Sequence, residues 1–198
     1  MTAEPRTASI TRATNETSIK LSLLLDGSGQ VQVNTGIGFL DHMLTALAVH
    51  ARFDLALECT GDLATDDHHT AEDCALVLGA SIDQAIGERR AGIARFGYAY
   101  APLDEALART VIDLSGRPAS VINLGLKRDR LGELACENIT HFFSSLAIAA
   151  RAALHVDVLR GENDHHRAEA AFKSLALALR QAVARTGNQD VPSTKGVL

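Results

Sequence analysis

The feature that most constrains the fold is a histidine pattern that occurs twice in the chain. The stretches "DDHHTAED", from Asp66, and "NDHHRAEA", from Asn163, each contain two adjacent histidines and a glutamate three residues later. In each half a single histidine, His42 or His141, precedes the pair, by 26 and 24 residues respectively. A repeat of this length indicates duplication of a whole βα unit, with the two halves packed about a pseudo-two-fold axis.

The order of predicted elements supports the duplication. In the first half, "TSIKLSLLLDGSGQVQVNT" alternates apolar and polar residues around "DGSG" and predicts a hairpin. "GFLDHMLTALAVHA" has apolar residues at helical spacing, "FDLALECTGD" predicts a strand, and "HHTAEDCALVLGASIDQAIGE" predicts a long helix. We therefore assign residues 1–92 to the first βα repeat.

The second half runs through the same order. "EALARTVIDLSGRPASVINLGL" predicts two strands around "SGRP", and "ENITHFFSSLAIAARAAL" predicts a helix. "HVDVLRGEND" follows as a strand and "HHRAEAAFKSLALALRQAVA" as the second long helix. Residues 93–198 then form the second repeat, and the two repeats together form one α+β catalytic unit.

Composition excludes several other classes. The 198 residues are 46% hydrophobic, enough for a buried core, and no apolar run is long enough to span a bilayer. The N-terminus has no continuous apolar stretch typical of a signal peptide. Cys59, Cys74 and Cys136 form no CxxC pair, which argues against a zinc ribbon or disulfide framework and favours a reducing cytoplasm. The net charge of -5 disfavours a nucleic-acid surface.

The repeated histidines have the spacing of metal ligands. His68 is an i,i+4 neighbour of Glu72, and His69 an i,i+3 neighbour, so either can share a metal ion with that carboxylate. Adjacent helical residues point about 100° apart, so the paired histidines are better placed to serve two ions than one. Six histidines and two glutamates would give four ligands to each of two ions. This donor set, without thiolate, suits Mn, Fe, Co, Ni or Zn.

Several other polar residues are ordinary on pattern alone. Glu16, Asp104 and Glu105 lie beside predicted strands, and His50 and His155 fall where a helix meets a strand. Arg95, Arg117, Ser193 and Lys195 are scattered in turns and in the C-terminal tail.

Five motifs together resemble the imidazoleglycerol-phosphate dehydratase family. They are "GIGFLDHMLTALAVHARFDL", "DDHHTAEDCALVLG", "ITHFFSSLA", "NDHHRAEAAFKSLA" and "STKG". The resemblance runs from Arg6 to Leu198 and matches the monofunctional form of the enzyme, a hydro-lyase of histidine biosynthesis.

The resemblance implies a fold, a cofactor and an assembly. The fold is a ribosomal protein S5 domain 2-like arrangement of two repeats, each with a mixed four-stranded sheet packed against helices. The cofactor is two Mn²⁺ per site, and the assembly consists of trimers forming a twenty-four-subunit shell with sites where subunits meet. The implied metal ligands are His42, His68, His69, Glu72, His141, His165, His166 and Glu169.

The resemblance also implies the residues that contact substrate. They are Glu16, His42, His50, His68, Glu72, Arg95, Arg117, Ser193, Thr194 and Lys195. Arg95 and Arg117 would give forked donors to a phosphate, and Lys195 would add a point charge.

The implied reaction dehydrates D-erythro-imidazole-glycerol phosphate to imidazole-acetol phosphate. The hydrogen lost from carbon is not acidic, so we expect a metal-bound imidazolate to expel the hydroxyl first. A carboxylate must then move protons. Glu16 is the first candidate, with Glu169 or Glu72 second.

Two other classes also need metal-binding residues. A dinuclear metallohydrolase acting on a phosphorylated metabolite would hold its two ions closer together, at roughly 3.5–4 Å. A ferritin-like storage shell would need Glu-x-x-His motifs on a four-helix bundle. The distance between the ions with an imidazole or triazole ligand bound would separate the three classes.

Overall fold

A computed structural model describes residues 4–88 and 90–196 as two halves with the same order of elements. The first half contains β1 (Thr7–Ala13), β2 (Thr17–Leu24), β3 (Val31–Asn34), α1 (Gly38–Ala51), β4 (Asp54–Gly61) and α2 (His68–Ile86). The second contains β5 (Phe96–Leu103), β6 (Ala106–Asp113), β7 (Ala119–Asn123), the short pair β8 (Arg130–Leu131) and β9 (Leu134–Ala135), α3 (Cys136–Ala149), β10 (Ala153–Arg160) and α4 (Asp164–Ala182). The predicted α+β class with two repeated halves is confirmed, while the boundary at residue 92 stays a prediction.

The two main sheets have the same topology. Their strand orders are β1-β2-β4-β3 and β5-β6-β10-β7. In both sheets the neighbours are antiparallel except at one edge, where β3 runs parallel to β4 and β7 runs parallel to β10. Alternate residues of β2, such as Ile19, Leu21 and Leu23, are buried, because successive side chains of a strand point to opposite faces. Each sheet thus presents one apolar face to the helices.

The predicted hairpin around "DGSG" is wrong. β2 and β3 are in the same sheet, but β4 lies between them, so they do not pair with each other. The connecting loop is held instead by Asp54, whose carboxylate accepts the backbone N–H groups of Ser28, Gly29 and Gln30 at 2.8–3.0 Å. The strand that pairs with β2 is therefore β4, which comes later in the chain, and not β3, as the turn residues predicted.

Two other differences concern two strands and the end of a helix. The sequence patterns do not predict the edge strands β1 and β5. The helix predicted over "ENITHFFSSLAIAARAAL" is too long, because α3 ends at Ala149. Arg151 has a φ of 48°, and the next N–H, of Ala152, bonds the carbonyl of Ala147 at 3.0 Å. This left-handed ending stops the helix and starts β10 two residues later. α1 ends in the same way at Arg52, whose φ is 60°.

The helices lie between the two sheets and pair across the halves. α2 packs on β1 and β2, α4 packs on β5 and β6, and the shorter helices α1 and α3 contact β3 and β7. Across the pseudo-two-fold axis α1 contacts α4, and α2 contacts α3. Within the described residues, no helix is both long and apolar enough to cross a bilayer. The crossed helix pairs bring the N-terminal turns of α2 and α4 toward the single histidines of the other half.

Gly79 allows α2 and α3 to approach closely. A Cβ atom at this position would lie 2.6 Å from the carbonyl oxygen of Leu146 and 2.9 Å from the backbone nitrogen of Ala150. Backbone atoms of a packed helix cannot move aside without separating the two helices. We therefore predict that Gly79→Ala lowers the free energy of unfolding by about 1–3 kcal/mol, the usual cost of overpacking.

The control for this prediction is Gly38→Ala. Gly38 is also helical, and a Cβ there would have no atom within 4 Å, so this change should be neutral or slightly stabilising. Urea unfolding at one protein concentration measures both variants against the parent. Equal midpoints for the two variants would contradict a packing role for Gly79.

Candidate active site

Two groups of three metal-capable side chains lie where the halves meet. One group contains His42, His165 and Glu169, and the other contains His68, Glu72 and His141. In each group the ligand atoms all lie within 4.8 Å of one another. Each group takes its single histidine from one half and its i,i+4 His/Glu pair from the other half. This exchange follows from the packing of α1 on α4 and of α2 on α3.

The group of His42 is centred on the Glu169 carboxylate. Oε2 of Glu169 lies 3.1 Å from Nε2 of His42 and 3.2 Å from Nε2 of His165. Its other oxygen lies 2.7 Å from the Lys173 ammonium. Burial raises the pKa of Glu169, but Lys173 and His42 outweigh it, so the pKa is lowered overall. The group therefore contains a charged carboxylate between two imidazoles and an ammonium.

The group of His141 has the same plan. Nε2 of His141 lies 3.1 Å from Oε1 of Glu72, and Nε2 of His68 lies 3.7 Å from Oε2. The rings of His68 and His141 are stacked, with centroids 4.9 Å apart. Nδ1 of His68 contacts the buried amide oxygen of Asn138 at 2.9 Å, and the Asn138 amide group donates to Asp67 at 3.0 Å. This contact orients Nε2 of His68 toward the group.

The second histidine of each pair lies outside these groups. The rings of His68 and His69 are inclined by 79°, and those of His165 and His166 by 87°, as adjacent helical positions require. Six of the eight predicted metal ligands thus lie in the two groups of three residues. His69 and His166 face other residues.

Carboxylates flank both outlying histidines. His69 lies 3.0 Å from Asp62 through Nδ1 and 3.6 Å from Glu16 through Nε2. The hydrogen bond from His69 to the Asp62 carboxylate is the main reason why the pKa of His69 is raised. Glu16, predicted as a proton-moving residue, therefore stands beside a predicted metal ligand and not beside either group of three.

His166 is flanked in the same way. Its Nδ1 lies 2.7 Å from Glu105 and its Nε2 lies 3.7 Å from Asp104. Glu105 raises the pKa of His166, chiefly through the hydrogen bond. The sequence pattern alone gives Asp104 and Glu105 no functional role. The repeat does point to Glu105, because it directly precedes β6 as Glu16 directly precedes β2.

The residues predicted to bind phosphate share one cavity. Its volume is about 560 Å³, and it is lined by Arg95, Phe96, Arg117, Pro192, Ser193, Thr194 and Lys195. Arg95 is held in place by two bonds to the Asp113 carboxylate, at 2.6 and 3.0 Å, and donates to the Pro192 carbonyl at 2.7 Å. Arg117 and Lys195 are exposed. The cavity thus gathers cationic groups from three separate parts of the chain.

His50 lies on the same helix as His42. It lies on α1 about two turns after His42 and close enough to Lys173 and Glu169 for both charges to act on it. Burial lowers the pKa of His50, and the Lys173 ammonium lowers it further. Both effects favour the neutral ring, which can accept or donate a hydrogen bond.

Together these features define a class: a duplicated α+β protein with two candidate metal-binding groups and a separate cationic cavity. Comparison with known proteins identifies the family within that class. The family model described as imidazoleglycerol-phosphate dehydratase matches residues 35–179. The chain therefore belongs to the imidazoleglycerol-phosphate dehydratase family, as its motifs predict.

Individual relatives agree with this result. An imidazoleglycerol-phosphate dehydratase of Phytophthora nicotianae is 64% identical over 193 residues, covering 98% of this chain and 42% of that protein. The Kluyveromyces lactis protein of the same name is 51% identical, and all of both chains is covered. The chain thus spans less than half of the first relative and the whole of the second.

Solved structures of the family share the fold. The enzyme from Staphylococcus aureus has a TM-score of 0.81 at 36% identity, covering 91% of this chain and 99% of the other. The enzyme from Pyrococcus furiosus has a TM-score of 0.83 at 36% identity, covering 96% and 100%. The chain is accordingly a hydro-lyase, a dehydratase of histidine biosynthesis, and the metallohydrolase and storage-shell alternatives are wrong.

The separation into two groups generates a prediction about metal content. Glu169→Ala should remove one ion per chain and leave the other, because each group has its own carboxylate. Glu72→Ala should remove the other ion, and the double variant should bind neither. Metal analysis after dialysis against Mn²⁺ measures the ratio. Glu58→Ala, an exposed change on the outer face of β4, serves as the control. A single variant that lost both ions, or neither, would contradict two separate groups.

Proposed function

We propose that this chain dehydrates D-erythro-imidazole-glycerol phosphate to imidazole-acetol phosphate with two Mn²⁺ ions held by the two His/Glu groups. The observation that carries the proposal is the crossed pairing of histidines and glutamates, which gives two like sets of ligands in one protein. Imidazole nitrogens with a carboxylate oxygen fit a divalent ion of this kind. When bound, the ions would supply Lewis acidity that lowers the pKa of the substrate ring N–H.

His69 and His166 complete the proposed ligand sets in neighbouring copies of the chain. Each three-residue group offers fewer ligands than the four that the sequence provides per ion. The remaining two histidines face away from their own groups and have Nε2 beside exposed carboxylates. A ligand set divided between chains is the simplest way to use all eight residues.

Glu16 is the proposed proton-moving residue. The two other candidate carboxylates are engaged, since Glu169 contacts two histidines and Lys173, and Glu72 contacts two histidines. The Glu16 side chain is 53% exposed and, among the residues that the structure describes, has one charged neighbour, His69, at 3.6 Å. It can therefore approach a substrate bound beside that histidine and exchange a proton with carbon or oxygen.

The cationic cavity is the proposed phosphate site. Arg117 and Lys195 extend into it, and the Ser193 and Thr194 hydroxyls can donate to phosphate oxygens. Arg95 stabilises the cavity through Asp113 and Pro192 and keeps its remaining N–H groups for the ligand. His50 is a proposed contact near the ring end of the substrate.

The phosphate cavity and the His42 group lie too far apart in one chain to bind one substrate. Backbone N–H of Arg95 bonds the carbonyl of Ala182, at the C-terminal end of α4. Glu169 is thirteen residues earlier on that helix, which corresponds to roughly 20 Å. Only five covalent bonds of about 1.5 Å separate the imidazole ring of the substrate from its phosphorus.

We infer from this separation that a complete site combines the cavity of one chain with the ligands of another. This requirement supports the proposed homo-oligomer, in which trimers form a twenty-four-subunit shell in the cytoplasm. The only other partner proposed is the small phosphorylated substrate, with neither nucleic acid nor membrane involved.

Glu16→Gln tests the proton-moving role. The variant keeps the shape and the hydrogen bonds of the side chain but removes the base. Turnover of imidazoleglycerol phosphate by Mn²⁺-loaded enzyme should fall by about 10²–10⁴, with metal content unchanged. A fall in activity that matched a loss of metal would make Glu16 structural, and near-normal kcat would transfer the role to Glu169.

Mixed oligomers test whether a site is shared between chains. Arg117→Ala lacks a phosphate contact, whose loss typically costs about 1.5–3 kcal/mol, and Glu169→Ala lacks a metal ligand. Each variant alone should be nearly inactive at low substrate. Co-expressed in equal amounts, they should recover about a quarter of the parent activity, because a quarter of shared sites draw both intact parts from different chains.

The matched control mixes Arg117→Ala with Lys195→Ala. Both residues line the same cavity of one chain, so no mixture of these two variants contains an intact cavity. Recovery should then be absent. Equal failure of both mixtures would show that cavity and metal ligands act within one chain.

A further inference from the structure

Glu105 makes three contacts that join the β5–β6 turn to the loop before α4 and to His166. Its Oε1 accepts the backbone N–H groups of Glu162 and Asn163, both at 2.9 Å. Its Oε2 lies 2.7 Å from Nδ1 of His166. The side chain thus ties the β5–β6 turn to the loop before α4 and to the second histidine of the pair.

The contacts of Glu105 indicate the direction of the hydrogen bond to His166. Oε1 accepts two backbone N–H groups at 2.9 Å, and Oε2 faces Nδ1 of His166 at 2.7 Å. Carboxylate oxygens accept hydrogen bonds, so the ring nitrogen is the donor. Nδ1 of His166 therefore carries the proton, and in the neutral ring Nε2 keeps the free lone pair that a metal ion would use.

The first half makes the same contact with a different residue. Nδ1 of His69 lies 3.0 and 3.3 Å from the two carboxylate oxygens of Asp62, which follows β4. The residue equivalent to Glu105 is Glu16, because each directly precedes the second strand of its half. Glu16, however, faces Nε2 of His69.

The repeat is therefore broken at these residues, yet the ring contact is the same. A carboxylate meets Nδ1 of the second histidine in both halves, although the two carboxylates come from non-equivalent positions. Duplication alone would have repeated the residue as well as the contact. The retained feature is the orientation of the histidine.

We propose that Glu105 and Asp62 are positioning residues that hold His166 and His69 with Nε2 presented to a metal ion. This inference rests on the proposed metal role of these histidines. Carboxylates that accept a hydrogen bond from a metal-binding histidine fix its tautomer and ring orientation, and their removal typically lowers metal affinity by about 10–100-fold.

A purely structural role is the competing explanation, and Asp54 provides the matched control. Asp54 also accepts backbone N–H groups of a loop, those of Ser28, Gly29 and Gln30, and among the described residues it bonds no histidine. Glu105→Ala and Asp54→Ala should both release a loop and lower the melting temperature. Only Glu105→Ala should also weaken metal binding.

The experiment is a titration of the full oligomer with Mn²⁺ in competition with a chelator, alongside thermal unfolding of the same metal-free samples. Glu105→Ala is expected to lower Mn²⁺ affinity by about 10–100-fold, and Asp54→Ala by less than about twofold. Glu105→Gln keeps an oxygen that can accept from Nδ1 and should recover most of the affinity. Asp62→Ala should repeat the loss through His69.

The outcomes separate this inference from the proposed function. If the parent protein bound no Mn²⁺, the proposed metal role would be wrong and this inference with it. If the parent bound Mn²⁺ and Glu105→Ala bound it equally well, only the positioning role would be wrong. If Glu105→Ala and Asp54→Ala lost Mn²⁺ affinity in proportion to their loss of stability, Glu105 would only hold the loop in place.

Discussion

Two crossed helix contacts, α1 against α4 and α2 against α3, are the constraint on which the candidate site depends. Each contact brings a single histidine of one half against the His/Glu pair of the other half. Neither half contains a complete group, so the groups form only when the halves are packed together. The tight approach at Gly79 and the left-handed helix endings at Arg52 and Arg151 serve this packing, because they set where the helices touch and stop. Folding of one chain and formation of its two groups are therefore one event.

The sequence predicts those parts of the structure that depend on local spacing. The i,i+4 relation of His68 to Glu72 is set by the helical turn, so the sharing of a group by these two residues follows from the sequence alone. The outward direction of His69 follows from the same geometry. The course of β3 does not, because its neighbour β4 comes from beyond α1, and no local pattern contains that pairing. The roles of Asp62 and Glu105 cannot be predicted from local spacing either, because they depend on how loops pack against the histidines.

The two groups have diverged in charge although their plan is the same. Lys173 lies one turn after Glu169 and contacts its carboxylate, whereas Leu76 occupies the corresponding position after Glu72. Glu169 is also the more buried of the two carboxylates, at 12% exposure against 34%. One group is therefore drier and carries an added positive charge. The two groups would therefore give different electrostatic environments to the ions proposed to bind there.

The exchange of ligands between the halves has a consequence for the origin of the chain. A half-length ancestor would have carried one single histidine and one His/Glu pair, on faces that do not meet within the same polypeptide. Two such polypeptides joined by a true two-fold axis would form both groups at once, with identical surroundings. Gene fusion would then have converted that axis into the pseudo-two-fold axis seen here and freed each copy to change separately. Lys173 in one half, and the different positions of Glu105 and Asp62 in the two halves, are changes that a fused chain can accumulate separately in each half.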